Sequence, residues 1–256
     1  MIRPLRFLAQ TAWVCLAGAV AAAPETLPIV AQRAEQAYQS ARVRYNRAPT
    51  NAEAAWQFGR ACFDQADAIK HDAQRESVAD EGVRACRQAL IDDPKSAWAH
   101  YYLGLNLGEM ASARGLGALR LLHEMEDEWQ TAIRLDETID YAGPNRSLGL
   151  LYRDAPGFPL SLGNHGKAIQ CLTRAVALSP GYPENQLALA EAYLKWNEYN
   201  QARRIAVKIP EVFKQARKDF SGPAWVGSWI DWSGRWDAVE SRLHEISRPQ
   251  SPHSAR

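Results

Sequence analysis

Few residues in this chain are spaced for chemistry, and each such group has a plainer use. His123 stands among Glu124, Glu126, Asp127 and Glu128. A zinc site draws its ligands from spaced His and Cys pairs, and no His-x-x-x-His pair accompanies these acids. A solvated helix face is therefore the expected use. Gly115-Leu116-Gly117 lacks the preceding strand and the third glycine of a dinucleotide loop, so it reads as a helix bend or an inter-helix connection. His165, between Gly163 and Gly166, reads as a loop residue rather than a base. Cys62, Cys86 and Cys171 follow Cys15 without any C-x-x-C spacing, so neither a zinc knuckle nor a redox motif is formed. There is no G-x-S-x-G, no cysteine with a local nucleophile signature and no P-loop. These residues predict neither an enzyme nor a cofactor or metal protein.

Recognition is the better use for the remaining unusual residues. The segment Ala155–Gly163 holds Phe158, Leu160 and Leu162 between and beside Pro156 and Pro159. An apolar loop must pack against its own fold or meet a partner. Phe158, Leu160 and His165 are the expected contacts there. Tyr101, Asn106, Asn145 and Arg153 are expected to join them from the inner faces of nearby helices. Amide and guanidinium groups on such faces clamp peptide backbone and carboxylates. Trp225, Trp229, Trp232 and Trp236 crowd together with Gly222, Gly227 and Gly234. They read as a cap over the open end of a helical core, with an exposed patch for a partner or a sugar as the alternative.

The elements that position these groups repeat along the chain. Leu27 to Tyr45 has helical periodicity, and Asn51 is placed to cap the helix that follows. Four helical pairs come next. Their first helices are expected over Ala52–Ile69, from Ala97 to about Ser112, over Pro144–Arg153 and over Pro183–Trp196. Their second helices are expected over Ser77–Ile91, ending at Leu135-Asp136, over Gly166–Leu178, and from Tyr199 until Pro210 cuts it. Within each pair, a small residue marks the close approach: Gly59 with Gly82, Gly104 with Met125, Gly149 with Ala168, Ala190 with Ala202. Extra residues separate the helices at Lys70–Glu76, Ala113–Ala118 and Asp154–His165, either lengthening helices or forming loops. Asp237 to Ile246 reads as a last amphipathic helix. The fold class is all-α, a solenoid of helical hairpins with a Trp-rich C-terminal cap.

This pattern resembles the tetratricopeptide repeat, carried by the small-residue pairs and by the Tyr193, Tyr199 and Ala202 spacing. The resemblance implies a non-catalytic module that binds a protein or peptide on a preformed surface. Two narrower resemblances follow. Phe158-Pro159-Leu160-Ser161-Leu162-Gly163-Asn164, with Lys167-Ala168, Leu178-Ser179-Pro180-Gly181 and the run Leu187 to Tyr193, looks like the T component associated with periplasmic TRAP transporters. That likeness implies the alternative, a ligand-binding accessory of a transport system with an enclosed apolar pore. Trp56-Gln57-Phe58-Gly59-Arg60-Ala61 and its long hairpin are similar to the repeat region of the regulator of microtubule dynamics family.

The N-terminus reads as a signal peptide over residues 1–22. Arg3 and Arg6 precede a mostly apolar run, Phe7 to Val20, and Ala19–Ala23 supplies small residues for cleavage after Ala21 or Ala22. The mature chain is expected to be periplasmic or secreted. The repeat domain is expected over residues 24–219, the cap over 220–246 and a disordered tail over 247–256. The formal charge of +1 and the absence of a Lys/Arg cluster give no reason to expect nucleic acid as a partner. No later stretch is apolar enough to cross a bilayer. Cys62, Cys86 and Cys171 are expected as free thiols, with Cys62 and Cys86 acting as small packing residues.

Overall fold

The computed structural model describes residues 26–114, 118–157 and 161–247. The expected leader, Gly115-Leu116-Gly117, Phe158, Leu160 and the tail beyond Ser247 lie outside the described residues. Among those described there are eleven α-helices and no strand. They are α1 (Thr26–Arg47), α2 (Ala52–Ala68), α3 (Asp72–Asp92), α4 (Ala97–Arg114), α5 (Leu119–Asp136) and α6 (Ile139–Asp154). There follow α7 (His165–Leu178), α8 (Pro183–Lys195), α9 (Tyr199–Ala206), α10 (Ile209–Asp219) and α11 (Val226–Ser247), with a 3-10 turn at Pro223–Trp225 before the last. The pairs α2/α3, α4/α5, α6/α7 and α8/α9 are the four expected hairpins.

Local chemistry sets most boundaries. Oδ1 of Asn51 accepts from the Ala54 N–H at 2.8 Å, and Oδ1 of Asn164 accepts from the Lys167 N–H at 2.9 Å, so each amide caps its helix. Pro183 stands in the first turn of α8, where its missing N–H costs no bond. Asp140, Tyr141 and Ala142 have φ of 48°, 56° and 63°, so the start of α6 is kinked and its regular part begins near Pro144, as its sequence predicts.

Three expectations are corrected. The residues expected between α2 and α3 mostly lengthen α3, which begins at Asp72 rather than near Ser77. Pro210 does not end the helical region; it stands in the first turn of a further helix, α10. The glycine- and tryptophan-rich stretch is not confined to turns, because α11 starts at Val226 and not at Asp237. Ser247, expected in the tail, is the last residue of that helix.

The hairpin contacts lie one helical turn beyond the expected pairs. A Cβ added to Gly59 would meet Sγ of Cys86 first; one on Gly104 would meet the Trp129 indole at 2.4 Å; one on Gly149 would meet Cγ of Leu172 at 2.7 Å. Each glycine thus receives a larger side chain four residues after the small residue expected there. Met125, the one large residue among the expected partners, is buried one turn from that contact. Gly82 instead faces Asn106 of the following hairpin. Cys62, Cys86 and Cys171 are free thiols.

At the C-terminal end, Trp232, Phe220 and Tyr182 are buried together, with Trp225, Trp229 and Trp236 partly buried around them. The rings meet mostly edge to face, as Trp229 with Trp232 at 5.1 Å and Tyr182 with Trp232 at 5.5 Å. The Trp229 indole N–H donates to the Phe220 carbonyl at 2.7 Å. This is the expected aromatic cap. α11 packs on α8 and α9 and also reaches α1. There Arg33 donates to the Pro223 carbonyl at 2.5 Å and Val30 lies against Gly227. The first and last helices of the solenoid therefore touch.

Candidate functional site

The structure distributes the described contact residues over four places. Tyr101 and Asn106 are fully buried. The Tyr101 hydroxyl donates to Asp140 at 2.9 Å. Nδ2 of Asn106 donates to the carbonyls of Gly59 and Tyr102 at 2.9 and 2.8 Å, stapling the second hairpin to the first. In this conformation neither presents its side chain to a partner. His165 lies tilted against the Trp196 ring at 4.4 Å and pairs with Glu198 at the end of the apolar loop. That loop folds back on itself: the Gly163 N–H donates to the Pro156 carbonyl, the Asn164 N–H to the Tyr152 carbonyl, and Leu162 packs on the core. Gly163 is required there, since a Cβ would stand 2.2 Å from the Ala155 carbonyl oxygen. Arg153 and Asn145 belong to the two polar surfaces described next.

The first surface is an open groove of about 550 Å³ between α5, α6 and α7. Asn145, Leu148 and Tyr152 come from α6, at spacings of three and four that share one helix face. Lys167, Gln170, Cys171 and Arg174 come from one face of α7, and Gln130 from α5. Asn145 is 5% exposed, and its Nδ2 has no hydrogen-bond partner. Nearby, Arg174 donates through Nε to Glu137 at 3.0 Å and holds that carboxyl below its usual range, an effect to which the neighbouring Asn145 amide adds. Lys167 lies over the Tyr152 ring at 4.8 Å and 3.5 Å from Glu126. Both cations of the groove are thus matched by carboxylates. Burial pushes the Cys171 thiol up to about 11, so it is a poor nucleophile at neutral pH. Apart from Asn145, sequence reasoning missed this groove; the signal available was the polar stripe Lys167, Gln170 and Arg174 at helical spacing.

The second surface is a charged network shared by α6, α8 and α11. Arg146 is buried, with Asp140 and Asn185 each 3.0 Å away and the Tyr182 ring at 5.1 Å. Arg153 pairs with Asp154 at 2.7 Å and Glu191 at 3.1 Å. Arg235 of α11 grips both Glu191 oxygens at 2.6 and 2.9 Å and has Asp231 at 3.3 Å. Bidentate pairing of this kind is strong and directional. Glu184 is fully buried, yet neither of its oxygens accepts a hydrogen bond. Arg146 and Arg235 stand 3.6 and 3.8 Å from it. Burial pushes its carboxyl up to about 7, against the pull of those two guanidinium groups.

The geometry is that of stacked helical hairpins, and comparison with known proteins agrees. Residues 28–142 match the family model described as regulator of microtubule dynamics protein 1-3. Residues 160–218 match a tetratricopeptide repeat model. No curated protein matches the chain. Among solved structures, it is similar to TTC0263, a thermophilic tetratricopeptide-repeat protein of Thermus thermophilus. The identity is 20% and the TM-score 0.58, over 85% of this chain and 98% of that one. The protein MamA is similar at 20% identity and a TM-score of 0.49, over 73% of this chain and 92% of its own. At 20% identity the likeness to TTC0263 shows the fold alone. The chain is a tetratricopeptide-like helical solenoid, matched in its first half by the regulator of microtubule dynamics model and in its second by the tetratricopeptide repeat model.

Proposed function

We propose that this protein is a non-catalytic docking module, working outside the cytoplasm, that holds an extended segment of a protein partner in the groove between α5, α6 and α7. The observation that carries this reading is the buried Nδ2 of Asn145 at the groove, which lies near the Glu137 carboxyl yet makes no well-formed hydrogen bond. A buried amide donor without an acceptor is costly, and a peptide carbonyl would satisfy it. Gln130, Gln170 and Thr173 also line the groove and each both donates and accepts, which suits alternating backbone N–H and C=O groups. Lys167 and Arg174 are already matched by Glu126 and Glu137, so the lining favours backbone over a strongly charged ligand. The open form of the groove supports docking rather than enclosure of a metabolite, which removes the main support for a transport accessory. Tetratricopeptide-like folds are in general scaffolds for protein partners, and the match over residues 160–218 includes the whole of α7. Export rests on Arg3, Arg6, the apolar run Phe7 to Val20 and the small residues Ala19–Ala23.

Photo-crosslinking in the native envelope fraction tests the proposal. A benzophenone side chain at Gln170 should give a discrete adduct that disappears with Asn145→Leu. The same probe at Gln215, on α10, should give none. Equal labelling at both positions, or an adduct indifferent to Asn145→Leu, would refute the assignment. N-terminal sequencing tests export: a mature start at Ala22 or Ala23 is expected, and an intact Met1 or a lipid-modified Cys15 contradicts it.

A further inference from the structure

α11 sits on the solenoid more as a ligand does than as a core helix. Of its 22 residues, only Gly227, Ser228, Trp232 and Val239 are buried. Elements held by so few buried groups belong to the low-stability end of a fold. Two side chains three residues apart on one helix face meet the α8 region, while Trp229, Trp236, Val239 and Leu243 pack into the same cluster. Trp232 enters the aromatic cluster edge-on to Tyr182, and Arg235 grips Glu191. On α8, Glu184 lies seven residues before Glu191, two turns away on the same face. Arg146 and Arg235 approach Glu184 only to 3.6 and 3.8 Å, so both oxygens of this buried carboxylate remain without a hydrogen bond. α11 thus leaves a buried carboxylate of its receptor with ion-pair neighbours but no hydrogen bond. Gly222, just before the 3-10 turn, has a φ of 84° and open space around its Cα, as a pivot for the helix would.

We propose that the inner face of α8 is a receptor for an amphipathic helix that carries an arginine three residues after a tryptophan, that α11 is its resident occupant, and that a partner helix of this chemistry displaces α11. The partner's arginine would meet Glu191 and, placed closer than Arg235, donate to Glu184 as well. Its indole would enter the pocket of Tyr182 and Phe220. Binding of this kind presents the apolar stripe of a helix to a preformed groove. The proposal is independent of the groove between α5, α6 and α7, which shares no residue with this face.

The probe is a fluorescently labelled peptide with the sequence of residues 226–247, added to the full chain. Arg235→Glu in the chain should loosen the resident helix, so the peptide binds this variant at least tenfold more tightly than wild type. The peptide carrying Arg235→Glu itself should not bind. Equal affinity for both chains, or no binding to a variant whose circular dichroism remains helical, overturns the proposal. If the variant loses its fold, a wild-type chain with a protease site inserted between Ser221 and Gly222 replaces it. After cleavage, α11 should exchange with the labelled peptide. A cut α11 that neither leaves nor exchanges overturns the proposal equally.

Discussion

The third hairpin and the face of α8 treat buried polar groups in opposite ways. At the third hairpin, the groove cations are matched by carboxylates, and one amide, Asn145, is left without a partner at an open surface. At α8, charged groups are gathered into a network and covered by α11 from the same chain. A neutral amide can wait for a partner at modest cost, whereas buried charges need partners at once. The first surface is thus available in the resting protein, and the second is already occupied.

Four substitutions would break or sharpen this contrast. The largest effect is expected from Trp232→Ala, which empties the centre of the aromatic cluster between α8 and α11. Loss of a buried tryptophan costs about 3–5 kcal/mol, and Trp232 is 1% exposed. Denaturant unfolding should show this destabilisation, and a change below about 1 kcal/mol would mean that the cluster does not hold α11 in place.

Glu184 should give the α8 face a pH dependence. Burial raises its carboxyl from 4.5 to about 7 in the fold, with Arg146 and Arg235 pulling it down and Asp231 and Asp140 pushing it up. The folded state therefore binds this proton more tightly than the unfolded chain. Stability from this group is fully present below about pH 4.5 and declines as pH rises towards 7, by about 3 kcal/mol in all. Glu184→Gln should flatten the fall in melting temperature between pH 5 and pH 8. An unchanged pH profile would contradict the role given to this carboxyl.

Gly149→Leu addresses the crossing of α6 and α7 beneath the groove. A Cβ there already meets Leu172 Cγ at 2.7 Å and its backbone nitrogen at 3.2 Å. Overpacking should cost about 1–3 kcal/mol, read by thermal melting. A melt like that of wild type would show that the helices cross elsewhere. The smallest stability effect is expected from Asn145→Ala, within about 0.5 kcal/mol, because the amide it removes makes no well-formed hydrogen bond.

The hairpins were legible in the sequence because their signals are local. Asn51, Pro144 and Pro183 act within one turn of their own position, and the glycines mark close approach wherever the partner helix lies. The partner position was not legible. On the second helices, Gly82 and Cys86, Met125 and Trp129, and Ala168 and Leu172 each share a face one turn apart. Helix length and crossing decide between the two members of each pair. Pro210 was ambiguous for a related reason, since proline ends one helix and suits the first turn of another. The aromatic cap was visible as composition, but its helix was hidden by Gly227 and Gly234. Asn145 was visible as a polar residue on the inner face of a first helix. That its Nδ2 would make no hydrogen bond, while Nδ2 of Asn106 donates to Gly59, 47 residues away, required the fold to be seen. The grip of Arg235 on Glu191 spans 44 residues and leaves no local trace.

The most direct test of the account is calorimetric. A peptide selected from a random library for binding to the wild-type chain should be titrated into wild type, Asn145→Ala and Arg235→Glu. The account predicts that Asn145→Ala weakens binding at least tenfold, about 1.4 kcal/mol, while Arg235→Glu leaves it within twofold. Affinity unchanged by Asn145→Ala would contradict the assignment of the groove as the docking site.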